Sequence, residues 1–231
     1  MKFFFLLIVA VACSQSVSFS QTAVNKFSAQ LTFGPNMPMG DFGSSSPSNQ
    51  KAGYAKAGWA LDALIEYRIS RRFRIFLLGG IGQNPFDKAA QLNFFQSVLT
   101  PGDAFHITSS SPWKIGKLMA GVSYSVPIGD KDKWSIDPSL SIGSLKSSSF
   151  SFEAQNNTGN NLATYKEKNF SWAICYGVGL GVNYAIYKKV YSTATAQYLY
   201  APVSYTYSNS DAKAKFKIST LAVEVGVGVS F

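Results

Sequence analysis

The chain has 231 residues, enough for one domain, and combines 46% hydrophobic residues with only 14% charged residues. An ordinary soluble domain carries roughly 25% charged residues, and a disordered chain is less apolar and more highly charged. After residue 20, no apolar run approaches the roughly 20 residues that a membrane-spanning helix needs. These values exclude disorder and a helical membrane protein, and the many glycines and aromatic residues favour strands.

The first 20 residues predict an export signal. Lys2 precedes a short apolar stretch, and Ser20 is a small residue at a fitting cleavage position. We therefore expect residues 1–20 to be a cleaved signal peptide and residues 21–231 to form the mature domain. The segment that ends at Cys13 also loosely resembles a lipoprotein cleavage box, so lipidation of Cys13 is an alternative.

Period-2 alternation of apolar residues is the dominant signal in the rest of the chain. Every even position from Phe170 to Tyr184 is apolar, and so is every odd position from Leu221 to Phe231. Alternation of this kind indicates strands with one apolar face. We predict strands at residues 27–33, 59–68, 73–82, 118–126, 134–142, 170–184, 191–203 and 221–231.

The connections between these strands alternate in length. Short links lie at residues 70–72, 127–133 and 186–189, and long polar links lie at residues 35–53, 83–112, 146–169 and 204–215. Tight turns at one end and long loops at the other are typical of a transmembrane β-barrel with both termini at the short-turn end. In the second long loop, Phe86, Ala90, Phe94 and Val98 have helical spacing and predict a short amphipathic helix.

The composition of the two strand faces indicates which one is outside. The less apolar face consists mostly of Gly, Ser, Ala and Thr, which suits the interior of a narrow barrel better than a water-facing surface. This favours a membrane barrel over a soluble, lipocalin-like one. Aromatic residues near the strand ends predict two girdles at the membrane interfaces. They are Trp59, Trp113, Trp172, Tyr198 and Tyr200 at one rim, and Tyr67, Tyr124, Trp134 and Tyr184 at the other.

These features predict an all-β fold, an eight-stranded antiparallel up-and-down transmembrane β-barrel. The chain resembles the small outer-membrane β-barrel proteins of diderm bacteria, the group that includes the OmpA transmembrane domain, OmpX and OmpW. The ending from Val225 to Phe231 resembles the C-terminal assembly signal of that class. The resemblance implies an outer-membrane location and recognition of Phe231 by the barrel assembly machinery.

The alternation points seven charged side chains toward the barrel interior. In a confined lumen such charges are expected to form a paired network, because an unpaired buried charge costs several kcal/mol. A plugged barrel is therefore favoured, with a narrow ion path and acid–base catalysis as weaker alternatives. The seven residues are Asp62, Glu66, Arg68, Arg74, Lys117, Asp137 and Glu224.

The single histidine, His106, lies in the second long loop near Asp103 and Thr108. Such a set could in principle form a nucleophilic site of a lipid-modifying enzyme. It matches no motif, however, and a lone histidine makes a zinc site improbable. We expect no catalytic residue, metal or cofactor.

The net charge of +9 does not indicate a nucleic-acid partner, because the four long loops are close to neutral in sum. Lysines and arginines instead lie in the short turns and near the outer strand ends, where they suit anionic lipids, including lipopolysaccharide phosphates. We therefore expect a non-enzymatic outer-membrane protein that acts in envelope structure or through its surface loops, with an unidentified envelope or extracellular partner. The main alternative is a narrow porin-like channel for small solutes.

Overall fold

The computed structural model describes residues 26–46, 48–49, 51–98, 105–129, 133–148, 151–156, 161–165, 172–206 and 213–231. The expected signal peptide and Cys13 lie outside the described residues. The strands are β1 (Phe27–Pro38), β2 (Gly58–Arg68), β3 (Phe73–Asn84), β4 (Phe105–Ser111), β5 (Trp113–Tyr124), β6 (Val126–Ile128), β7 (Trp134–Ser148), β8 (Ser151–Asn156), β9 (Asn161–Tyr165), β10 (Ala173–Tyr187), β11 (Val190–Thr206) and β12 (Lys213–Ser230). The helices are α1 (Gly40–Gly43) and α2 (Lys88–Val98).

Eight of these strands form a closed antiparallel barrel in the order β1-β2-β3-β5-β7-β10-β11-β12. The last strand returns to the first, with registers from Ser28 opposite Ser230 to Pro38 opposite Thr220. The backbone N–H groups of Phe27 and Phe231 donate to each other's carbonyl oxygens at 3.1 and 2.9 Å. Closure of this kind leaves the barrel without an unpaired edge. The predicted eight-stranded antiparallel barrel is confirmed.

The outer face of the barrel is a band of apolar side chains. Leu31, Leu140 and Val225 are 53%, 59% and 67% exposed, whereas the adjacent Thr32 and Glu224 point inward and are buried. In water this band would be a very large exposed apolar patch, which soluble proteins avoid. The arrangement is the reverse of a soluble barrel, and it suits a hydrocarbon environment.

The long loops contain regular structure that the sequence analysis only partly anticipated. A helix forms in the second loop as predicted, α2, but it begins at Lys88, after the predicted Phe86, which instead forms an isolated bridge with Ala55. Segments of the Ser-rich end of that loop and of the third loop, for which no strand was predicted, pair as a three-stranded sheet in the order β4-β8-β9. No helix in the described ranges is long and apolar enough to cross a membrane.

The barrel is taller than its apolar band at the end that carries the long loops, called the upper end below. Strands β11 and β12 have 17 and 18 residues, more than the roughly 9–11 that cross a bilayer as a tilted strand. On the outer face of β12, the apolar positions give way above Leu221 to the exposed Lys217 and Lys215. The lower end carries the short turns together with Phe27 and Phe231.

Candidate functional site: the barrel interior

Near the lower end, an arginine organises a network of charges across the lumen. The Nη1 atom of Arg74 lies 2.7 Å from Oδ2 of Asp137 and 3.4 Å from Oε2 of Glu66. Its Nη2 atom donates a hydrogen bond of 2.9 Å to Ser125. The side chains of Glu66 and Asp137 are nearly inaccessible to solvent. We call these three charged residues (Glu66, Arg74, Asp137) the lower network.

Neutral side chains add hydrogen bonds to the lower network, although Nε of Arg74 and Oδ1 of Asp137 are buried without a protein hydrogen-bond partner. Asn183 donates to Oδ2 of Asp137 at 2.6 Å, and Ser28 donates to Oε2 of Glu66 at 2.9 Å. Arg68, another of the predicted lumenal charges, is half-buried and lies within electrostatic range of Glu66 and Asp137. Charge-assisted hydrogen bonds are the strongest polar contacts in proteins, and these contacts connect strands β1, β2, β3, β7 and β10 across the lumen.

The remaining lumenal charges form a second group halfway up the barrel, the middle cluster (Asp62, Lys117, Glu224). Lys117 lies 2.7 Å from Oδ2 of Asp62 and donates a 2.8 Å hydrogen bond to Gln197. The expected pairing of lumenal charges does not extend to Glu224. Its Oε2 atom accepts a hydrogen bond of 2.6 Å from Thr32, and no cation of the described chain lies within 4 Å.

A cavity of about 70 Å³ adjoins the middle cluster. Oδ1 of Asp62 and Oε1 of Glu224 are both buried without a protein hydrogen-bond partner, and both residues line this cavity. The space is polar enough and large enough to accept water. Glu224 has no cation beside it because Lys117 pairs with Asp62 and Arg74 pairs with Asp137 in the lower network. The hydroxyl of Thr32 donates a hydrogen bond to Glu224 instead.

Above the middle cluster the lumen changes from polar to apolar. Large side chains fill it and are almost fully buried, and most come from the extended upper ends of the barrel strands. We call them the upper core. Its members include Phe42, Trp113, Leu145, Cys175, Leu199, Val203, Phe216 and Ile218, and the same apolar cluster continues below Lys117 through Leu78, Met119 and Phe76.

The placement of Trp113 corrects the predicted aromatic girdle. Its side chain is 3% exposed and stacks on Phe216, with ring centroids 5.4 Å apart. Its indole N–H donates to the carbonyl oxygen of Gly53 at 2.9 Å. Strand parity explains the orientation, because Trp113 lies on the same face of β5 as the inward Lys117. It belongs to the lumen and not to the membrane interface.

The sequence analysis missed Phe42, which closes the upper core from above. The chain reverses after β1 at Gly40, whose φ of 55° favours glycine, and α1 then directs Phe42 into the barrel mouth. Its ring is fully buried and packs edge-on against Trp113 at 5.2 Å and Phe216 at 6.1 Å. No periodic signal marks Phe42, because it lies in a loop.

Two contacts hold this first loop on the barrel. The amide of Asn84, fully buried, donates to the carbonyl oxygens of Asn36 and Lys56 at 2.9 Å each. Tyr54 packs against Phe86 of the second loop with ring centroids 6.1 Å apart, and burial raises the pKa of the Tyr54 hydroxyl. The loop is therefore anchored as a plug and does not lie free above the mouth.

The other predicted girdle residues lie on the outer face. Trp172, Trp134 and Tyr124 are 63%, 48% and 44% exposed, and Trp134 contacts Tyr184 at 4.6 Å. Trp59 and Tyr198 are also exposed, and Tyr67, Tyr184 and Tyr200 are half-buried. Near the lower rim, Phe231 stacks on Phe27 with ring centroids 6.2 Å apart.

The predicted alternative of a catalytic histidine has little geometric support. His106 is exposed on β4, where its backbone is in register with Gln155, and its proposed neighbour Asp103 lies outside the described residues. Within the described part of the chain, no group of three His, Cys, Asp or Glu side chains is arranged to hold a metal ion.

Comparison with known proteins bears on the fold alone. No protein-family model matches the chain, and no curated protein matches it. The Neisserial surface protein A structure aligns with 89% of this chain and 97% of its own, at 17% identity and a TM-score of 0.51. The outer-membrane protein OprG from Pseudomonas aeruginosa aligns with 90% of this chain and 96% of its own, at 12% identity and a TM-score of 0.51. The chain therefore has the fold of the small eight-stranded outer-membrane β-barrels.

Proposed function

We propose that this protein is a non-enzymatic, integral β-barrel of the outer membrane that acts through its upper, extracellular end and does not conduct solutes. One observation carries the proposal: the lumen is filled at two levels, by the upper core and by the lower network. An eight-stranded barrel is just wide enough for side chains to fill its interior. A solute would have to displace Phe42 and Trp113 and then break the contacts of Arg74.

The outer face supports the membrane location. The apolar band with aromatic residues at its margins matches a hydrocarbon layer with two headgroup regions. Export by the signal peptide at residues 1–20 and insertion by the barrel assembly machinery through Phe231 belong to this proposal. In the membrane, anionic lipids, including lipopolysaccharide, would be the immediate partners of the basic strand ends.

The upper end supports a role in envelope structure or in contact with an extracellular partner. Segments of the second and third loops form the β4-β8-β9 sheet, and the first loop is anchored in the barrel mouth. Loops held on a rigid scaffold are where such proteins present binding surfaces. The β4 segment from Phe105 to Ser111 is rich in hydroxyl side chains, which suits hydrogen bonding to polar surfaces.

The narrow channel is the second candidate, because the cavity beside Asp62 and Glu224 extends down to Glu66 and Asp137 of the lower network. Single-channel recording in planar bilayers separates the two proposals. We expect the wild-type protein to give no conductance steps. A Phe42→Ala variant, inserted equally well, should remain silent because the lower network still closes the lumen. Regular conductance steps from the wild-type protein would contradict the proposal and favour the channel.

A further inference from the structure

The outer face of the barrel carries a groove that the lumen does not use. It lies at the upper margin of the apolar band, across β2, β3, β5 and β7, and has a volume of about 450 Å³. The principal lining residues are two lysines (Lys114 and Lys146), two tryptophans (Trp59 and Trp172), Gln83 and Gly116.

Two lysines on neighbouring strands face this groove. The register pairs Lys114 with Ser148 and Gly116 with Lys146, so the two lysines are diagonal neighbours, at roughly 7–8 Å in an antiparallel pair. Both are exposed, and neither has a carboxylate within 4 Å in the part of the chain that the structure describes. Two like charges at this spacing repel each other, and an anion bound between them removes the repulsion.

Glycine and tryptophan give the groove its shape. Gly116 lies between the two lysines, and a Cβ atom there would have no neighbour closer than 3.9 Å, so the floor of the groove is open. Trp172 is 63% exposed and lies under the ammonium group of Lys146, which is 5.9 Å from the ring centroid. A cation–π contact of this kind positions the charge without neutralising it.

The groove continues downward into apolar surface. Ile81 and Leu118, directly below Gln83 and Gly116 on the same outer face, are 54% and 51% exposed. A ligand in the groove would therefore meet two cations at one end and hydrocarbon-like side chains at the other. That combination fits an amphiphile with an anionic head, and it does not suit a free inorganic anion.

We infer that this groove binds a phosphate group of an outer-leaflet lipid, held between Lys114 and Lys146, with an acyl chain along Ile81 and Leu118. The inference rests on the proposed membrane location and deepens it by naming a lipid site. Two long, flexible ammonium stems can converge on one phosphate, and the indole N–H groups of tryptophans at an interface suit the same headgroup region.

The test is a titration of the purified mature barrel, in an uncharged detergent, with diphosphoryl lipid A as the probe. We expect the K114A/K146A variant to bind at least about tenfold more weakly than wild type, since each lysine near an anionic lipid surface contributes on the order of 1 kcal/mol. K114R/K146R should retain binding, because the charge is kept. Unchanged affinity of K114A/K146A would overturn the inference.

The matched control is K215A/K217A, which removes two exposed lysines at the upper end of β12, on the opposite side of the barrel. It should change the affinity less than about twofold, as expected for lysines outside the groove. An equal loss of affinity in the control would show non-specific attraction and overturn the site.

The ligand supplies a second control. Lipid A stripped of its phosphates should bind weakly, and inorganic phosphate should not compete; effective competition would assign the lysines to soluble anions instead. Heat-dependent gel mobility reports membrane-type folding separately, so failure of the proposed location is distinguishable from failure of the site.

Discussion

The lower network and the upper core close the same lumen in opposite ways. In the lower network, Arg74 contacts Asp137 and Glu66 at 2.7 and 3.4 Å. In the upper core, Trp113, Phe216 and Phe42 pack with ring centroids 5.2–6.1 Å apart, and a single hydrogen bond to Gly53 satisfies the indole. The comparison indicates that the membrane-embedded part of the lumen combines paired charges with a few apolar side chains such as Phe76 and Leu78, whereas the part above the apolar band is built like the core of a soluble protein.

A physical reason accounts for this division. Within the apolar band, the outer face already supplies the hydrophobic contact with lipid, so the lumen is free to hold polar groups provided that each finds a partner. Above the band the outer face meets water, as Lys215 and Lys217 indicate. There the extended strands must bury their apolar side chains inward, because that is the only dry side available to them.

The largest effect should come from breaking the lower network. Asp137→Ala removes the closest partner of Arg74 and leaves a buried guanidinium with one carboxylate, Glu66 at 3.4 Å, and the hydroxyl of Ser125. We expect the free energy of unfolding to fall by about 3–5 kcal/mol. Urea unfolding in lipid vesicles measures it. A cost below 1 kcal/mol would mean that the network does not stabilise the barrel.

A cavity in the upper core should cost nearly as much by a different mechanism. Leu145 is fully buried, and Leu145→Ala should lower the free energy of unfolding by about 2–5 kcal/mol through lost contacts and a residual cavity. Leu145→Met conserves volume and is the control, with an expected cost of less than about 1.5 kcal/mol. Equal stability of all three proteins in the same urea assay would show that the upper core is not packed.

A charge on the outer face tests the orientation of both regions. Val225, next to the lumenal Glu224, is 67% exposed on the apolar band. Val225→Arg should destabilise the inserted barrel by about 2–4 kcal/mol, the cost of arginine on a lipid-facing strand near the bilayer centre. Val225→Leu, which keeps the surface apolar, should be near neutral. Full tolerance of the arginine would argue that this face does not contact lipid.

The smallest effect is expected at Glu224, although it is as deeply buried as Asp137. It accepts a hydrogen bond from Thr32 but has no cation beside it, and an amide can accept the same bond. Glu224→Gln should therefore change the free energy of unfolding by less than about 1 kcal/mol. The same urea series checks it. A loss as large as that of Asp137→Ala would show that Glu224 is ion-paired after all.

Much of the barrel could be predicted from the sequence because alternation reports directly on lipid exposure. In β10, and in β12 from Leu221 onward, the outer positions are uniformly apolar, so both the strands and their faces are evident. In β3, however, Phe76 and Leu78 face inward beside the outward Ile75 and Leu77, and hydropathy alone does not separate them. Arg74 identifies the inner face, because an arginine within the apolar band must point inward and Phe76 and Leu78 share its parity.

The candidate site was predictable only in part for a related reason. Strand parity puts Lys117 and Trp113 on the same face of β5, so the inward orientation of Trp113 can be inferred from the sequence. Its position at a strand end favours the girdle instead, and that criterion is the wrong one here. Which carboxylate pairs with which cation depends on lateral neighbours across the lumen, and no local pattern encodes it. Phe42 and the β4-β8-β9 sheet depend on loop contacts, which leave no periodic trace.

The most direct test of the closed lumen is the reactivity of Cys175. Its thiol is fully buried in the upper core, within electrostatic range of Lys117 of the middle cluster. In a Cys13→Ser background, where Cys175 is the sole cysteine, a small water-soluble maleimide should label the folded barrel far more slowly than the urea-unfolded chain, from either side of the membrane. Labelling of the folded, inserted protein at a rate close to that of the unfolded chain would contradict a lumen closed by packed side chains.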